Sequence, residues 1–548
     1  MVISALVLIE SFSILLVTAP IFLSQNTQNS EIPIIGLHSS SDHTPISIWS
    51  DTQLDDFCFG NGTDGASWET AHVIENYTFS GSGIDCAIEI MYTNSYLIIR
   101  NCSITNFEYG IYLYDVDHVK LENNTISNCN FGVYMVYSYY SYAQNNNCSQ
   151  NNVGIMCADV QDTTIHNNTC HQNVYTGISL SRSRDMSIYS NNCSYNAASG
   201  IGLTGCTSIE LKNNTLNHNN KGISFSDTSH STSFNDTAEY NNEDGIEVSS
   251  SLSIDIDNAT CNDNLACGIN IDGSQHIYLS NCTLVANQLN GVNILTSESC
   301  NVEDSVIMGN YYDGIWSVYS NHGSYLKNRV IGNHINGISL VYSTSLLIQY
   351  NNCTNNWASG ISLSASSSNF IRNNVLVENA LDGVKLQNSD SNSLLNNTCV
   401  LNGKNGVELD NSDNNYMIFN NFSFNTNAGI DLDYSNKNKI LNSTLSNNSN
   451  GTILQNSDWN RIGNNTISLN TQYGIFSNNS DFSDIDDNTF EQNGVQDFLI
   501  FNMGGTKDGI TLPLWQIVLL VAGAFLVGAG LSYIVSTKIW KNKYPKKQ

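Results

Sequence analysis

A glycine followed by a β-branched residue returns every 22 or 23 residues along most of this chain of 548 residues. The series runs from Gly110-Ile111 to Gly474-Ile475. A globular domain does not require such a register, whereas a chain that completes one coil per period does. Between the glycines, short alternating runs are separated by Ser, Asn and Gly, which are signals for strands and turns. The sequence therefore predicts a stack of β coils.

An Asn-Asn pair recurs with the same period, as at Asn123-Asn124, Asn167-Asn168 and Asn396-Asn397. Asparagines at one position of successive coils can form an amide ladder, and the glycine is expected to supply a turn with positive φ. Helical repeats are excluded because no 3.6-residue periodicity is present, and leucine-rich repeats because leucines at fixed offsets are missing. The pattern indicates a parallel β-helix with Ile111 and Val133 stacked in its interior.

The Gly-Ile-x-Leu and Asn-Asn-x-Ile/Cys repeats resemble the right-handed parallel β-helix repeats, of pectin-lyase-like fold, found in archaeal surface proteins. The same repeats occur in NosD-type proteins and in carbohydrate-binding and sugar-hydrolase domains. The resemblance implies an all-β, single-stranded right-handed parallel β-helix of about 18 coils over residues 87–495, preceded by an N-terminal cap at 25–86. Enzymes, adhesins and binding proteins share this fold, so the resemblance leaves the function open.

Both ends of the chain are apolar. Residues 1–24 are typical of a signal peptide or signal anchor. Residues 512–537 carry no charge and are long enough to span a bilayer. They follow a linker at 496–511 and precede a basic tail at 538–548 with five lysines, which predicts a cytoplasmic C-terminus. We therefore expect a single-pass protein of the cell membrane with its β-helix outside the cell.

The net charge restricts the class of binding partner, and the positions of the cysteines indicate which are buried thiols. The formal net charge of −29 argues against nucleic acid as a partner. Seven of the fifteen cysteines keep the repeat phase: Cys148, Cys170, Cys193, Cys261, Cys282, Cys353 and Cys399. They are interpreted as buried thiols, although neighbouring ones are close enough to bridge. Cys58 and Cys86 lie outside that phase and form a candidate disulfide in the cap.

Asn-x-Ser/Thr sequons occur nineteen times. Many coincide with the Asn-Asn repeat, and their asparagines are interpreted as ladder residues that cannot carry a glycan. This group includes Asn123, Asn167, Asn213 and Asn396. Glycosylation is predicted instead at sequons outside the repeat phase and at the cap, namely at Asn61, Asn76, Asn447, Asn450 and Asn478.

Candidate chemistry lies on the outward positions of the Gly-Ile-x-Leu-x segment, because Ile and Leu point inward. Four carboxylates fall there on two adjacent coils, with Lys385 one coil away: Glu408, Asp410, Asp431 and Asp433. Such a cluster can bind Ca²⁺, act in glycoside or polysaccharide cleavage, or form a solvated acidic face. No polygalacturonase-type motif accompanies it, and the histidines and methionines are scattered, so no copper-ligand cluster is apparent.

Aromatic residues are a second candidate. Five tyrosines lie on or next to these outward positions in the first coils, and one tryptophan lies on an outward position farther along: Tyr112, Tyr114, Tyr134, Tyr137, Tyr139 and Trp316. These residues could stack on sugar rings or could simply cover the strands. We therefore expect a membrane-anchored surface protein that binds glycans or neighbouring surface molecules without catalysis. The alternative is an anchored polysaccharide lyase or glycoside hydrolase that uses Lys385 and the carboxylates.

Overall fold

The computed structural model describes residues 42–481 and 483–501, and these form a parallel β-helix with three parallel sheets, A, B and C. Each coil contributes one strand to sheet A, one to sheet B and a short strand or single bridge to sheet C. Every strand pairs with the strand one coil away, as where Val133 lies beside Ile111 and Ile155. The stack comprises about nineteen coils, close to the predicted number.

Sheet A contains twenty strands: Ile46–Ile48, Cys86–Thr93, Tyr109–Val116, Phe131–Val136, Val153–Ala158, Ile178–Ser181, Ser199–Thr204, Lys221–Ser226, Ile246–Ser249, Ile269–Asp272, Val292–Leu295, Ile315–Val318, Ile338–Val341, Ile361–Ser364, Val384–Gln387, Val407–Asp410, Ala428–Asp433, Asn450–Gln455, Tyr473–Asn478 and Gln496–Phe501.

Sheet B contains nineteen strands: His72–Glu75, Leu97–Arg100, Val119–Glu122, Tyr142–Gln144, Thr164–His166, Arg184–Tyr189, Thr207–Lys212, Ser229–Phe234, Leu252–Asp257, Gln275–Ser280, Asn301–Glu303, Ser324–Leu326, Leu347–Gln349, Phe370–Arg372, Ser393–Leu395, Tyr416–Ile418, Lys439–Leu441, Arg461–Gly463 and Asp484–Asp486.

Sheet C is interrupted and continues through isolated bridges: Thr78–Ser80, Ser103–Thr105, Thr125–Ser127, Thr283–Val285, Val306–Met308, Arg329–Ile331, Asn352–Thr354, Val375–Val377, Thr398–Val400, Thr466–Ser468 and Thr489–Glu491. The helices are short: an α-helix at Asp51–Cys58 and 3₁₀ turns at Phe59–Asn61 and Trp68–Thr70.

The predicted interior stack is confirmed. Ile111, Val133, Ile155, Ile178 and Ile201 are all buried and lie in register on successive strands of sheet A. The continuous apolar column accounts for the strict period, because a shift of one residue would turn each of these side chains to solvent. Burial of the column removes apolar surface from water coil by coil, so stability is expected to grow with the number of stacked neighbours.

The repeating glycines serve a different purpose from the one predicted. Gly132 does not have a positive φ; a Cβ there would meet the carbonyl oxygen of Gly154 at 2.5 Å and Asn151 Nδ2 at 2.9 Å. The glycine is required because the next coil and the asparagine ladder approach its backbone closely. The left-handed turns are built mainly by other residues, such as Asn123 and Asp115, each with positive φ.

The predicted amide ladder is confirmed, and its buried part is formed by the second asparagine of each pair. Asn124 Nδ2 donates to Asn146 Oδ1 at 3.0 Å, and Asn146 Nδ2 donates to Asn168 Oδ1 at 3.0 Å. The first asparagine, as at Asn123 and Asn167, is exposed and occupies a left-handed turn. The interpretation of Asn123 and Asn167 as ladder residues is therefore wrong by one position. Asn213 and Asn396 also lie in the exposed turn, but they do bond between coils: Asn235 Nδ2 donates to Asn213 Oδ1 at 2.7 Å, and Asn396 Nδ2 donates to Asn373 Oδ1 at 2.8 Å.

The β-helix begins before residue 87. Ile46 pairs with Ile88 in sheet A, and His72 pairs with Leu97 in sheet B, so much of the predicted cap already belongs to a coil. The helix Asp51–Cys58 is inserted between these strands. At the other end the last strand of sheet A continues to Phe501, beyond the predicted boundary at 495.

The predicted disulfide between Cys58 and Cys86 is not present, since both thiols are free. Cys58 ends the helix and its Sγ faces the carbonyl of Val73, whereas Cys86 begins a strand of sheet A beside Glu89 and Glu108. The two positions face different neighbours. All other cysteines are buried free thiols, which confirms their interpretation as small apolar residues of the core.

The predicted leader at 1–24, membrane span at 512–537 and tail at 538–548 lie outside the described residues, as does most of the linker at 496–511. Within the part of the chain that the structure describes, no helix is long and apolar enough to cross a membrane.

Candidate functional site

One outward row of sheet A contains both candidate regions. The row, called here the outward row, consists of the second residue after each repeat glycine, and consecutive members are in register on neighbouring strands. It reads Tyr112, Tyr134, Met156, Ser179, Gly202, Ser224, Glu247, Asn270, Asn293, Trp316, Ser339, Ser362, Lys385, Glu408, Asp431, Ile453 and Phe476. The row is aromatic at one end and mostly small and polar in the middle. It is charged from Lys385 to Asp431 near the other end, where Ile453 and Phe476 complete it.

Six rings at the first end form an aromatic patch, defined as Tyr109, Tyr112, Tyr114, Phe131, Tyr134 and Tyr137. Tyr109 and Phe131 stack with their ring centroids 5.5 Å apart and their planes 7° apart. Phe131 stacks on Tyr134 at 5.0 Å, and Tyr112 lies 5.6 Å from Tyr134. Tyr114 contacts Tyr137 edge to face at 5.6 Å. Ring pairs at these separations stabilise each other and hold one another in place.

The patch is half-buried rather than fully solvated. Burial, followed by the nearby Tyr134 and Tyr109 hydroxyls, raises the pKa of Tyr112 to about 12. The hydroxyl therefore stays protonated and can donate a hydrogen bond throughout the physiological range. Tyr137 is 43% exposed at the edge of the patch. The surface thus combines flat apolar rings with neutral hydroxyl groups.

Two of the predicted aromatic residues lie elsewhere. Tyr139 follows the left-handed turn at Tyr137 and pairs with Gln161, on the side of sheet B. Trp316 belongs to the outward row but lies between Asn293 and Ser339, several coils from the patch. Tyr112, Tyr114, Tyr134 and Tyr137 are brought together as the sequence predicted.

The charged end forms an ionic cluster, defined as Asp382, Lys385, Lys404, Glu408 and Asp431. Lys385 Nζ lies 3.3 Å from Glu408 Oε1, and Lys404 Nζ donates to Glu408 Oε2. Asp382 Oδ1 accepts from the backbone N–H of Asn405 at 3.1 Å. Asp431 is in register with Glu408 on the next strand, and its Oδ1 is buried without a hydrogen-bond partner.

The pKa values within the ionic cluster are driven apart. Burial opposes ionisation of Glu408, but its contacts with Lys404 and Lys385 outweigh burial and hold its pKa below the usual value. Burial, and then the charge on Glu408, raises the pKa of Asp431 to about 6. The same two causes raise the pKa of Asp382. One ionised and two proton-retaining carboxyl groups therefore lie side by side at mildly acidic pH.

Asp410 and Asp433 are also in register, but they lie on the other outward row of the same strands. Asp410 accepts from Asn411 Nδ2 at 2.7 Å. In the described ranges, no group of three or more His, Cys, Asp or Glu is placed to hold a metal ion. Both oxygens of Glu408 already contact lysines, so the four carboxylates do not form an open Ca²⁺ site, which was one of the three alternatives that the sequence left open.

The sequence analysis missed residues that precede the repeat glycine. Tyr109 and Phe131 stand one residue before Gly110 and Gly132, and Lys404 stands two before Gly406. Tyr109 and Phe131 begin strands of sheet A, and Lys404 lies just before one, so their side chains reach the outward row. A coil-by-coil alignment of the positions before the glycine identifies them.

Comparison with solved structures finds proteins of low similarity. A periplasmic alginate epimerase double mutant is 11% identical, with 69% of this chain and 84% of that chain covered and a TM-score of 0.31. The A-module of a mannuronan C-5 epimerase from Azotobacter vinelandii is 9% identical, with 81% and 94% covered and a TM-score of 0.26. At these TM-scores the similarities carry no argument about function.

Comparison with curated protein sequences finds no match. A family model described as "Right handed beta helix region" matches residues 267–422, which agrees with the architecture above. A second model matches residues 69–242 and 380–499, more than half of the chain, including the aromatic patch and the ionic cluster. With its repeats, its parallel coils and this match together, the chain belongs to the NosD family, whose model is described as "Periplasmic copper-binding protein (NosD)".

Proposed function

We propose that this protein is a surface-exposed β-helix that binds glycans through the aromatic patch, without catalysis. The observation that carries the proposal is the set of six contacting rings on one outward face. Aromatic rings offer a flat apolar surface that the ring face of a sugar can cover, while tyrosine hydroxyls bond to its hydroxyl groups. The rings are fixed by mutual packing, so little side-chain entropy is lost on binding.

The test is a glycan-array screen of the purified protein and of a Tyr112→Ser/Tyr134→Ser double variant. Serine occupies the same outward row at Ser179 and Ser339, so the fold accepts it there. We expect the variant to lose at least tenfold in affinity for any glycan that the wild type binds. The matched control is Tyr319→Ser/Tyr342→Ser, which removes another stacked pair, with centroids 4.9 Å apart, outside the patch. Equal losses in both variants would contradict the proposal.

The proposed location is the outside of a cell membrane, with residues 512–537 as the anchor and the leader at 1–24 directing export. The supporting observations are the uncharged stretch of residues 512–537 and the lysines that follow it. Protease added to intact cells should remove the β-helix and leave a small fragment that contains Leu512 to Gln548. Protection of the β-helix would overturn the location.

Cleavage of a polysaccharide at the ionic cluster is the second candidate. Its support is the pair Glu408 and Asp431. Glu408 is ionised and could act as the stabilising carboxylate, whereas Asp431 has a raised pKa and could act as the acid. Asp431 would donate the proton. A lyase needs a neutral base, and the contacts of Lys404 with Glu408 raise its pKa against the effect of burial, so we favour hydrolysis within this alternative. Loss of reducing-end release in Asp431→Asn, with retention in Asp433→Asn, would support it.

Copper, which the family description names, does not fit the residues that the structure describes. Copper sites use imidazole and thiolate or thioether ligands that converge on one point. Here Cys148 and Cys170 are fully buried in the core. The contact with the Cys170 thiol, followed by burial, raises the pKa of Cys148 well above its usual value. For Cys170 the contact with Cys148 lowers the pKa, but the contact with Cys193 and burial outweigh it and raise the pKa well above its usual value. No convergent group of His and Cys is found among the described residues. We therefore assign no copper chemistry to this protein.

A further inference from the structure

The corner between sheets B and C has the same backbone conformation in every coil that the structure describes. In each of nineteen coils the chain leaves sheet B through one residue with positive φ, from Asn76 to Asp487. The next residue is buried, as Asn124 is in the amide ladder, and the one after it faces outward at the start of sheet C, as Thr125 does. We call the residue with positive φ the corner residue and the residue two positions after it the outer residue.

Corner residues that are asparagine very often begin an Asn-x-Ser/Thr sequon. Thirteen corner residues are asparagine, and in eleven of them the outer residue is Ser or Thr. All eleven of these asparagines are exposed: Asn76, Asn101, Asn123, Asn167, Asn213, Asn235, Asn258, Asn281, Asn396, Asn442 and Asn464. The two exceptions are Asn145 and Asn373.

Backbone requirements alone do not account for this coincidence. Asparagine is favoured wherever φ is positive, and nine further asparagines occupy the other left-handed turns of the described coils. Of those nine, only Asn447 is followed two residues later by Ser or Thr. Asparagine therefore occurs in left-handed turns of several corners, whereas its sequons are concentrated at one corner.

A preference of sheet C for threonine does not account for it either. Six corner residues are not asparagine, and only one of these coils has Ser or Thr at the outer position, the coil of Asp487. Threonine at the outer position thus accompanies asparagine at the corner. In three of those six coils, and in the coil of Asn145, an asparagine at the outer position begins a sequon instead: Asn147, Asn192, Asn352 and Asn421.

We propose that this corner is a row of attachment sites for N-linked glycans, which runs along the β-helix apart from the outer face of sheet A. Successive coils bring acceptors within one strand spacing, roughly 4.8 Å, of each other, as at Asn213, Asn235, Asn258 and Asn281. The attached sugars would cover one edge of the protein and leave the aromatic patch open. The inference rests on the proposed export, because N-glycosylation of sequons belongs to exported proteins.

The transfer consumes one activated glycan per site. The Asn Nδ2 forms a bond to the anomeric carbon of a glycosyl diphosphate donor. The bond between that carbon and the diphosphate oxygen breaks, the diphosphate leaves with the bonding electrons, and one Nδ2 proton passes to a base of the transferring enzyme. The β-helix is only the acceptor in this step, and no oxidant or reductant is required.

The test is glycopeptide mass spectrometry on the full protein isolated from its own cells. We expect glycan mass on the majority of the eleven corner asparagines. The buried Asn450, which is 7% exposed, should remain unmodified although it was predicted from the sequence. Corner asparagines that are all unmodified would overturn the inference. If the β-helix is also protected from external protease, the proposed location fails as well; if it is digested, only the present inference fails.

A pair of matched variants makes the test site-specific. Thr215→Val removes the sequon of Asn213 and keeps the β-branched shape, whereas Thr215→Ser keeps the sequon. We expect the valine variant to lose one glycan mass at Asn213 and the serine variant to retain it, with equal melting temperatures after deglycosylation. Retention of the glycan in the valine variant, or its absence from both variants and the wild type, would overturn the assignment at this coil.

Discussion

The aromatic patch and the ionic cluster are both built on the outward row of sheet A, and their difference shows which side chains the repeat does not constrain. Beneath both regions lie buried aliphatic residues of the same kind, such as Val133 and Val407, and a glycine pressed against the next coil. At the patch the half-buried side chains contact one another by ring stacking. At the cluster the side chains contact one another by ion pairing, and this pairing is incomplete, because Asp431 Oδ1 has no hydrogen-bond partner.

A third region, around Lys221, provides a comparison in which the carboxylate on the outward row is paired through both oxygens. Lys221 Nζ lies 2.7 Å from Glu247 Oε1, and Ser224 donates to Glu247 Oε2 at 2.9 Å. The next outward-row residue is Asn270, a neutral amide that donates to Asp244 Oδ2 at 3.0 Å. The ionic cluster has the carboxyl group of Asp431 at the corresponding place. The unpaired acid is therefore a feature of one end of the row and not of the fold.

The largest effect is expected where the two regions are alike. Gly132→Ala and Gly406→Ala would place a Cβ 2.5 Å and 2.6 Å from the carbonyl oxygens of Gly154 and Gly429. We expect each to lower the free energy of unfolding by about 3 kcal/mol, since the backbone must shift. Gly202→Ala is the control, because its nearest neighbour would be 3.7 Å away. Urea denaturation measures all three. Clearly unequal losses at Gly132 and Gly406 would show that the scaffold differs between the regions.

The next effect should separate the regions. Glu408→Ala leaves Lys385 and Lys404 without the carboxylate that both contact. We expect a loss of about 1–2 kcal/mol in the free energy of unfolding, because the lysine side chains are 31% and 42% exposed and water replaces part of the interaction. Tyr134→Ser, at the aligned position of the patch, should cost about 1 kcal/mol through lost ring contacts. A neutral result for Glu408→Ala would mean that the ion pairs contribute no stability.

Much of the scaffold was predictable from the sequence, because the same spacing of glycine, apolar and asparagine residues recurs along the coils. The period identified the coils, and the column from Ile111 to Ile201 was placed correctly inside. The phase of the asparagines was not, since Asn123 and Asn124 are chemically identical and only the backbone shows which of them turns the corner. The role of the glycine was missed because close approach between coils is a tertiary contact.

The two candidate regions were predictable to different extents. Alignment of outward positions brought Tyr112 to Tyr134 and Glu408 to Asp431, and both pairs are in register. The partners Tyr109 and Lys404 were missed because they approach from the corner before the glycine. The charge balance of the cluster could not be deduced without Lys404, and so a cation site stayed among the alternatives although Lys385 had been placed beside the carboxylates.

A smaller effect concerns pH. The pKa of Asp431 is raised in the folded protein to about 6, so folding favours its protonated form. This contribution is fully present below the pKa of the unfolded chain, roughly 4, and is lost as pH rises through about 6. Asp431→Asn, which reproduces the Asn270 arrangement, should therefore raise the melting temperature more at pH 7.5 than at pH 4.5. Asp433→Asn is the control. An equal gain at both pH values would show that Asp431 ionises as freely as an exposed acid.

The smallest effect concerns Ca²⁺, where sequence and structure lead to opposite expectations. Four carboxylates on adjacent coils predict that millimolar Ca²⁺ raises the melting temperature, because a ligand that binds only the folded state stabilises it by mass action. In the structure Glu408 is neutralised by two lysines, and Asp410 and Asp433 lie on a different row. We therefore expect wild type and Asp410→Asn/Asp431→Asn to show the same small shift with Ca²⁺ in a calorimetric melt, and the aromatic end to be indifferent to the ion as well. A shift that the double variant abolishes would mean that the lysines yield to the cation, and the ionic cluster would then be the binding end of the row.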